Sequence, residues 1–217
     1  KRKKLSKAIS SKGVLFTADK IYDNKIPKWI QNYLTTKNVG IEPSAAEVLT
    51  EYLGNDLAKI TNELDKLILT LPEGKSKIAS DHIEKNIGIS KDYNNFELTK
   101  ALSKKNVLKA NRIIQYFGEN QKLNNINQTI SSLFYFFSKV LALHFMPNAS
   151  TREIASTLQI NPYFVGDYQA ASKNFSRAKT VEIISILRDF DLKAKGFGNP
   201  STPPDQLLQE MIFRILH

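Results

Sequence analysis

The sequence predicts an all-α fold, a small helical bundle plus a larger helical domain, with a short α/β remnant at the N-terminus. Three observations support this. Apolar residues after residue 27 recur at helical spacing in segment after segment. The only convincing strand, residues 13–18, has no partner strand elsewhere in the sequence. The polar stretch 90–95 lacks periodicity and separates two well-patterned regions, so we expect the boundary there.

Composition limits the classes of protein that the chain can represent. It has 217 residues, 41% hydrophobic and 24% charged, which is enough for a sizeable core. Cysteine is absent, which excludes disulfides, thiolate metal sites and cysteine nucleophiles and fits a reducing, cytoplasmic location. No apolar stretch approaches the roughly 20 residues that cross a bilayer, so no membrane partner is expected.

Most of the positive charge lies near the N-terminus. The net charge is +10, and residues 1–28 hold nine basic and two acidic side chains. We interpret this stretch as a solvated surface, with phosphate contact by Lys1, Arg2, Lys3 and Lys4 as the alternative. Because the sequence starts at Lys1 without an apolar signal core, we expect it to be a piece of a longer chain.

The smaller region contains four predicted helices. The first begins at Pro27, and the second covers about residues 43–53 before Gly54. Asn55 is the predicted cap of the third, which ends before residues 72–74. Asp81 and Glu84 stand at capping-box spacing in the fourth, residues 81–87, and Gly88 ends it.

The larger region contains seven predicted helices, near residues 95–104, 107–118, 126–146, 150–158, 162–173, 176–195 and 203–216. The segment 126–146 is the most apolar of these. We place Phe134 in its main apolar stripe and expect Phe136 and Phe145 to extend the stripe around the helix.

No catalytic, cofactor-binding or metal-ligating residue is predicted. Gly74-Lys75-Ser76 ends like a phosphate-binding loop, but the first glycine of that motif would be Leu69, inside a helix. Gly196-Phe197-Gly198 lacks the third glycine of a dinucleotide fingerprint. The three histidines are isolated, and His82 is interpreted as a surface helix residue. An enzyme is therefore the least favoured class.

A helix-turn-helix pattern is the strongest alternative signal. Residues 150–173 match it through the core positions Ile154, Leu158 and Val165. The second helix, however, offers no Lys or Arg before Lys173, and base or phosphate contacts need polar and basic groups near its start. We favour packing over DNA reading and keep a DNA-binding regulator as the alternative function.

Several motifs, in order, resemble one protein family. Residues 52–57, YLGNDL, and 62–67, NELDKL, resemble the G-x-D-L and E-L-x-K-L patterns of the delta subunit of the bacterial DNA polymerase III clamp loader. Residues 154–163 resemble its I-A-x-x-L-G-I-x-P-F segment, with Gln159 at the glycine position. Further similar segments are 78–87, 96–102, 169–176 and 191–196.

The resemblance implies three parts: residues 1–26 as the last helix and strand of an AAA+-like domain, 27–92 as a helical lid, and 93–217 as a helical collar. It implies a non-catalytic subunit that joins other loader subunits through the collar. The sliding clamp would be contacted through a preceding N-terminal domain, and DNA in the assembled complex. Since a ring subunit needs exposed contact surface, we expect part of it at Lys193, Lys195, Gly196 and Phe197.

Overall fold

The fold is helical almost throughout. A computed structural model describes residues 3–15, 21–122, 124–199 and 201–217. Its α-helices are α1 (Lys3–Lys12), α2 (Ile26–Thr36), α3 (Pro43–Leu53), α4 (Leu57–Leu69), α5 (Ser80–Ile87), α6 (Asn95–Ser103), α7 (Val107–Glu119), α8 (Ile126–Leu143), α9 (Thr151–Leu158), α10 (Val165–Asn174), α11 (Arg177–Ala194) and α12 (Pro204–Leu216). Short 3-10 helices cover Asp23–Lys25 and Pro162–Phe164. The predicted all-α class is confirmed.

Buried side chains form two clusters. The first lies between Ile26 and Ile89, and we call residues 26–89 the small bundle. The second lies between Leu98 and Ile215, and we call residues 94–216 the large bundle. Phe96 packs against both clusters, so its ring lies where the two bundles meet.

Two helix starts in the small bundle differ from the prediction. Asp56, not Asn55, is the N-cap of α4, because its carboxylate accepts hydrogen bonds of 3.1 Å from the amides of Ala58 and Lys59. The predicted capping box of the fourth helix is wrong. Helix α5 begins at Ser80, and Asp81 instead accepts a 2.8 Å bond from the ammonium of Lys91.

The predicted strand over residues 13–18 is not found in its described part. Residues 13–15 form no strand, and residues 16–18 lie outside the described residues. A strand needs a neighbour to satisfy its amides and carbonyls, and Val14 is 94% exposed. A two-residue parallel pair occurs instead between β1 (Gly40–Ile41) and β2 (Lys77–Ile78), which is too short to give a sequence signal.

Helix α8 is the centre of the large bundle. It packs against α6, α9, α10, α11 and α12 and buries Leu133, Phe136 and Phe137. Phe134 was wrongly predicted to be buried: it is 48% exposed, because it lies one position past Leu133 on the outer side. The helix also ends at Leu143, so Phe145 lies beyond it, exposed.

No helix in the described ranges combines the length and the apolarity that crossing a bilayer would require.

The burial of Leu158 generates a stability prediction. We expect Leu158→Ala to lower the free energy of unfolding by about 2–5 kcal/mol, because it opens a cavity in the large bundle. Leu69→Ala is the matched control: Leu69 is 85% exposed, so its truncation should change stability by less than about 0.5 kcal/mol. Urea unfolding followed by circular dichroism measures both, and equal effects would contradict this packing.

Candidate interaction surface

The four residues predicted to contact other subunits lie at the end of α11 and directly after it. Gly196 has a φ of +88°, a left-handed conformation that suits glycine. The amide of Gly196 donates to the Lys193 carbonyl at 3.0 Å, and that of Phe197 donates to the Leu192 carbonyl at 2.9 Å. The chain therefore turns sharply, and the Phe197 side chain is left 67% exposed.

The two lysines at this end make contacts within the large bundle. The Lys195 ammonium lies 2.6 Å from the Asp191 carboxylate. The Lys193 ammonium lies 4.7 Å from the ring centre of Phe190 and 3.8 Å from the Glu210 carboxylate. Phe197 is therefore the member of the predicted set that presents apolar surface to solvent.

A second exposed surface lies between α7 and α12, and the sequence analysis missed it. It is an open groove of about 480 Å³ lined by Asn111, Gln115, Gln209, Glu210 and Phe213. The Phe213 ring is 61% exposed and stacks on the His217 ring with centroids 4.4 Å apart. The sequence did contain a signal for this surface: Phe213 falls outside the apolar stripe of α12, which indicates an exposed ring.

The segment 150–173 forms two helices that face the core. Ile154, Leu158 and Val165 are buried, and Ser150 with Glu153 forms the predicted capping box. Gln159 occupies the turn with a φ of +52°, the conformation for which glycine is usual. Its carbonyl accepts a 3.3 Å bond from Lys139, and its side chain accepts a 2.8 Å bond from Asn24. The turn thus serves packing, and the DNA-reading interpretation is not supported.

The other sequence candidates lie on the surface or outside the described residues. Lys75 is exposed, directly after a turn in which Gly74 has a φ of +79°. Of the possible phosphate contacts, Lys1 and Arg2 lie outside the described residues, Lys3 begins α1, and the Lys4 side chain is exposed. Phosphate contact at these positions stays a prediction.

His82 is not the surface residue that we expected. It is half-buried, and its Nε2 lies 2.9 Å from the Leu67 carbonyl, so the ring joins the end of α4 to α5. His144 lies 3.4 Å from the hydroxyl of Thr180. Within the described ranges, no three side chains of His, Cys, Asp or Glu come together as metal ligands would.

A buried polar junction joins the two bundles, and it too was missed. The Asn95 amide, 3% exposed, donates to the Glu51 carboxylate at 2.5 Å, and the Gln128 amide donates to the Glu51 backbone carbonyl. The Tyr52 hydroxyl donates to the side-chain carbonyl of buried Asn124 at 3.0 Å. Helix α3 of the small bundle therefore supplies polar partners to α6, to α8 and to Asn124 in the loop before α8.

Burial strongly perturbs the ionisable groups at this junction. It raises the pKa of the Glu47 carboxyl to about 7, against the opposing charge of Lys139. It also raises the pKa of Glu51 to about 7, while hydrogen bonds from the side chain and backbone of Asn95 and from the Phe96 amide oppose the rise. Burial lowers the pKa of Lys139 to about 8, against the attraction of Glu47.

Comparison with known proteins relates this fold to one family. The family model for the C-terminal domain of the DNA polymerase III delta subunit matches residues 92–212. Among solved structures, the Bacillus subtilis DNA clamp loader delta protein YqeN aligns with a TM-score of 0.56 at 21% identity. That alignment covers 99% of this chain and 62% of the YqeN chain, and it shows a shared fold. The comparison with curated proteins gives no match.

The match to the family model extends over more than half of the sequence and over most of the large bundle. It includes the end of α11, the segment 150–173, and four of the five residues that line the groove between α7 and α12, with Phe213 just beyond its end. The chain therefore belongs to the family defined by the C-terminal domain of the DNA polymerase III delta subunit.

Proposed function

We propose that the chain is the lid and collar part of a delta-type clamp-loader subunit, which acts with other loader subunits to load a sliding clamp on DNA during replication. The observation that carries the proposal is the family match over residues 92–212. The fold shared with YqeN along nearly the whole chain supports it. In this proposal residues 1–26 end an AAA+-like domain, residues 27–92 form the lid, and residues 93–217 form the collar.

The proposed role is that of an accessory subunit without an active site of its own. Lys75, the lysine of the motif that ends like a phosphate-binding loop, lies exposed after a short turn, and Leu69 is the last residue of the helix before it. A phosphate-binding loop needs consecutive backbone amides that point at the phosphates, and a helix end followed by this turn does not provide them. The proposed role places the protein in the cytoplasm.

The collar is the proposed contact surface for other loader subunits. Phe197 and Phe213 expose large apolar side chains at two places on the large bundle. Exposed aromatic residues of this kind are frequent anchors of protein interfaces, because their rings bury much area at small entropic cost. Contact with the sliding clamp is assigned to a preceding N-terminal domain, and contact with DNA to the assembled complex.

Removing the Phe197 ring tests the proposed subunit contact. We expect Phe197→Ala to weaken association with the other loader subunits by about tenfold or more, as loss of an interface anchor does. Tyr163→Ala is the matched control, because Tyr163 is an equally exposed aromatic residue of the same bundle, at 68%. Quantitative co-purification measures both. Association that survives Phe197→Ala unchanged would remove this residue from the interface, whereas no association of the unaltered chain would contradict the function.

Nucleotide binding at Lys75 is the next test. We expect ATP to leave the melting temperature unchanged in the unaltered chain and in Lys75→Ala alike, because Lys75 is a solvated residue. A thermal-shift titration with Mg²⁺-ATP measures this. An ATP-dependent rise in melting temperature that Lys75→Ala abolishes would show a nucleotide site where we place none.

DNA binding by residues 150–173 is tested by duplex titration at two salt concentrations. Helix α10 begins with Val165 buried, and Lys173, near its end, is its only basic residue. We therefore expect no sequence preference and no effect of Lys173→Ala on duplex affinity. Tight, sequence-selective and salt-sensitive binding that Lys173→Ala weakens would instead favour a DNA-binding regulator.

A further inference from the structure

The Glu51 side chain lies at the start of a helix that belongs to the other bundle. It belongs to α3, and its carboxylate accepts a 2.5 Å hydrogen bond from the side-chain amide of Asn95, the first residue of α6. The Gln128 side chain holds the Glu51 backbone carbonyl from α8. Two elements of the large bundle thus hold one residue of the small bundle.

The other end of the Asn95 amide has no partner. Its Oδ1 is, over the described residues, the only fully buried side-chain polar atom without a hydrogen bond. A carbonyl oxygen can only accept, and an ionised carboxylate can only accept, so an ionised Glu51 cannot satisfy Asn95 Oδ1. A buried polar atom left in this state is costly and calls for a missing donor.

A protonated Glu51 supplies that donor. A carboxylic acid has one O–H, and its geometry matches a primary amide: the amide N–H donates to one carboxyl oxygen while the acid O–H donates to the amide oxygen. The first of these two bonds, Asn95 Nδ2 to Glu51 Oε1, is present. The second would satisfy Oδ1.

We propose that Glu51 joins the small bundle to the large bundle as a neutral carboxylic acid paired with the Asn95 amide, and that ionisation of this carboxyl destabilises the junction. The proposal concerns the fold and does not rest on the proposed function. It makes Glu51 and Asn95 a pH-sensitive contact inside the protein. The reaction involved is a proton transfer between solvent and one carboxyl oxygen.

Burial and the charge of a neighbouring carboxyl favour neutral Glu51, against the hydrogen bonds from Asn95 and the Phe96 amide. Glu47 lies one turn earlier on α3, and its negative charge opposes ionisation of Glu51. Lys139, the cation at this junction, acts on Glu47. Among the described residues, other titratable groups that interact with these two carboxyls or with Tyr52 include Tyr52 itself, Tyr116 of α7, Tyr135 of α8 and Tyr168 of α10.

The direction of the pH effect follows from burial. The pKa of Glu51 is raised in the fold to about 7 from an ordinary value of 4.5. Between these values the folded protein binds a proton that the unfolded chain releases, so stability falls as pH rises through this window. Above about pH 7 the loss is complete and the carboxyl adds no further pH dependence.

The test compares the full chain with Glu51→Gln by urea unfolding at pH 5 and pH 8. Glutamine forms the same two-bond pair with Asn95 without a proton that can leave. We expect the folding equilibrium constant of the unaltered chain to fall by up to about tenfold per pH unit within the window for each carboxyl whose pKa is raised. Glu51→Gln should lose the part of this pH dependence that comes from Glu51, and it should be more stable than the unaltered chain at pH 8.

Two further variants separate the sources of the effect. Glu73→Gln removes the same charge from an exposed turn and should leave the pH dependence unchanged. Glu47→Gln removes the second carboxyl with a raised pKa, and the pH dependence that remains in it but is lost in the double variant Glu47→Gln, Glu51→Gln belongs to Glu51. A Glu51→Gln variant that keeps the full pH dependence, or that is less stable than the unaltered chain at pH 8, overturns the proposal.

Infrared spectroscopy gives a direct readout that does not require the Glu51→Gln variant to fold. A buried protonated carboxyl has a carbonyl band distinct from that of a carboxylate, and folded Glu47→Gln at pH 6 should show it. Disappearance of the band in the double variant Glu47→Gln, Glu51→Gln assigns it to Glu51. Absence of the band from folded Glu47→Gln overturns the proposal, whether or not Glu51→Gln folds.

Discussion

Burial of α8 is the constraint on which the large bundle depends. This helix carries apolar residues around most of its circumference, and leaving them in water would cost about 25 cal/mol for each Å² exposed. Five other helices therefore pack around it, and the aromatic rings of Phe137 and Phe175 meet edge to face with centroids 5.4 Å apart.

Helix positions in this protein could be predicted because local signals set them. Helix α3 covers Pro43–Leu53 as predicted, since Pro43 suits a first turn and Gly54 follows the last residue. The capping box of Ser150 and Glu153 likewise acts within four residues. Where two candidates stand next to each other the prediction was wrong: Asn55 was predicted as the cap of α4, but the Asp56 carboxylate accepts from the amides of Ala58 and Lys59.

The junction could not be predicted because its partners are distant in sequence. Glu47 and Glu51 lie four residues apart on a helix surface, a pattern that is typical of solvent-facing acids. Their partners come from the large bundle: Asn95 of α6 donates a hydrogen bond to Glu51, and the charge of Lys139 of α8 acts on Glu47. The prediction that Phe134 is buried was wrong for a different reason. Helical periodicity gives the direction of a side chain, but it does not show whether a neighbouring helix covers that side. The exposed Phe197 was predicted from the end of α11, whereas the groove at Phe213 appears only once α7 and α12 lie side by side.

The position of Phe96 determines how the protein can be divided. Its ring touches Phe164 of the large bundle edge to face, with centroids 4.9 Å apart, and it also packs on the apolar cluster of the small bundle. A cut at the start of the matched family segment would leave this ring on the large fragment and remove its other neighbours. The excised fragment would expose the Phe96 ring to water beside Asn95, which would lose its partner Glu51. Separate expression of the two halves therefore calls for a polar replacement at position 96.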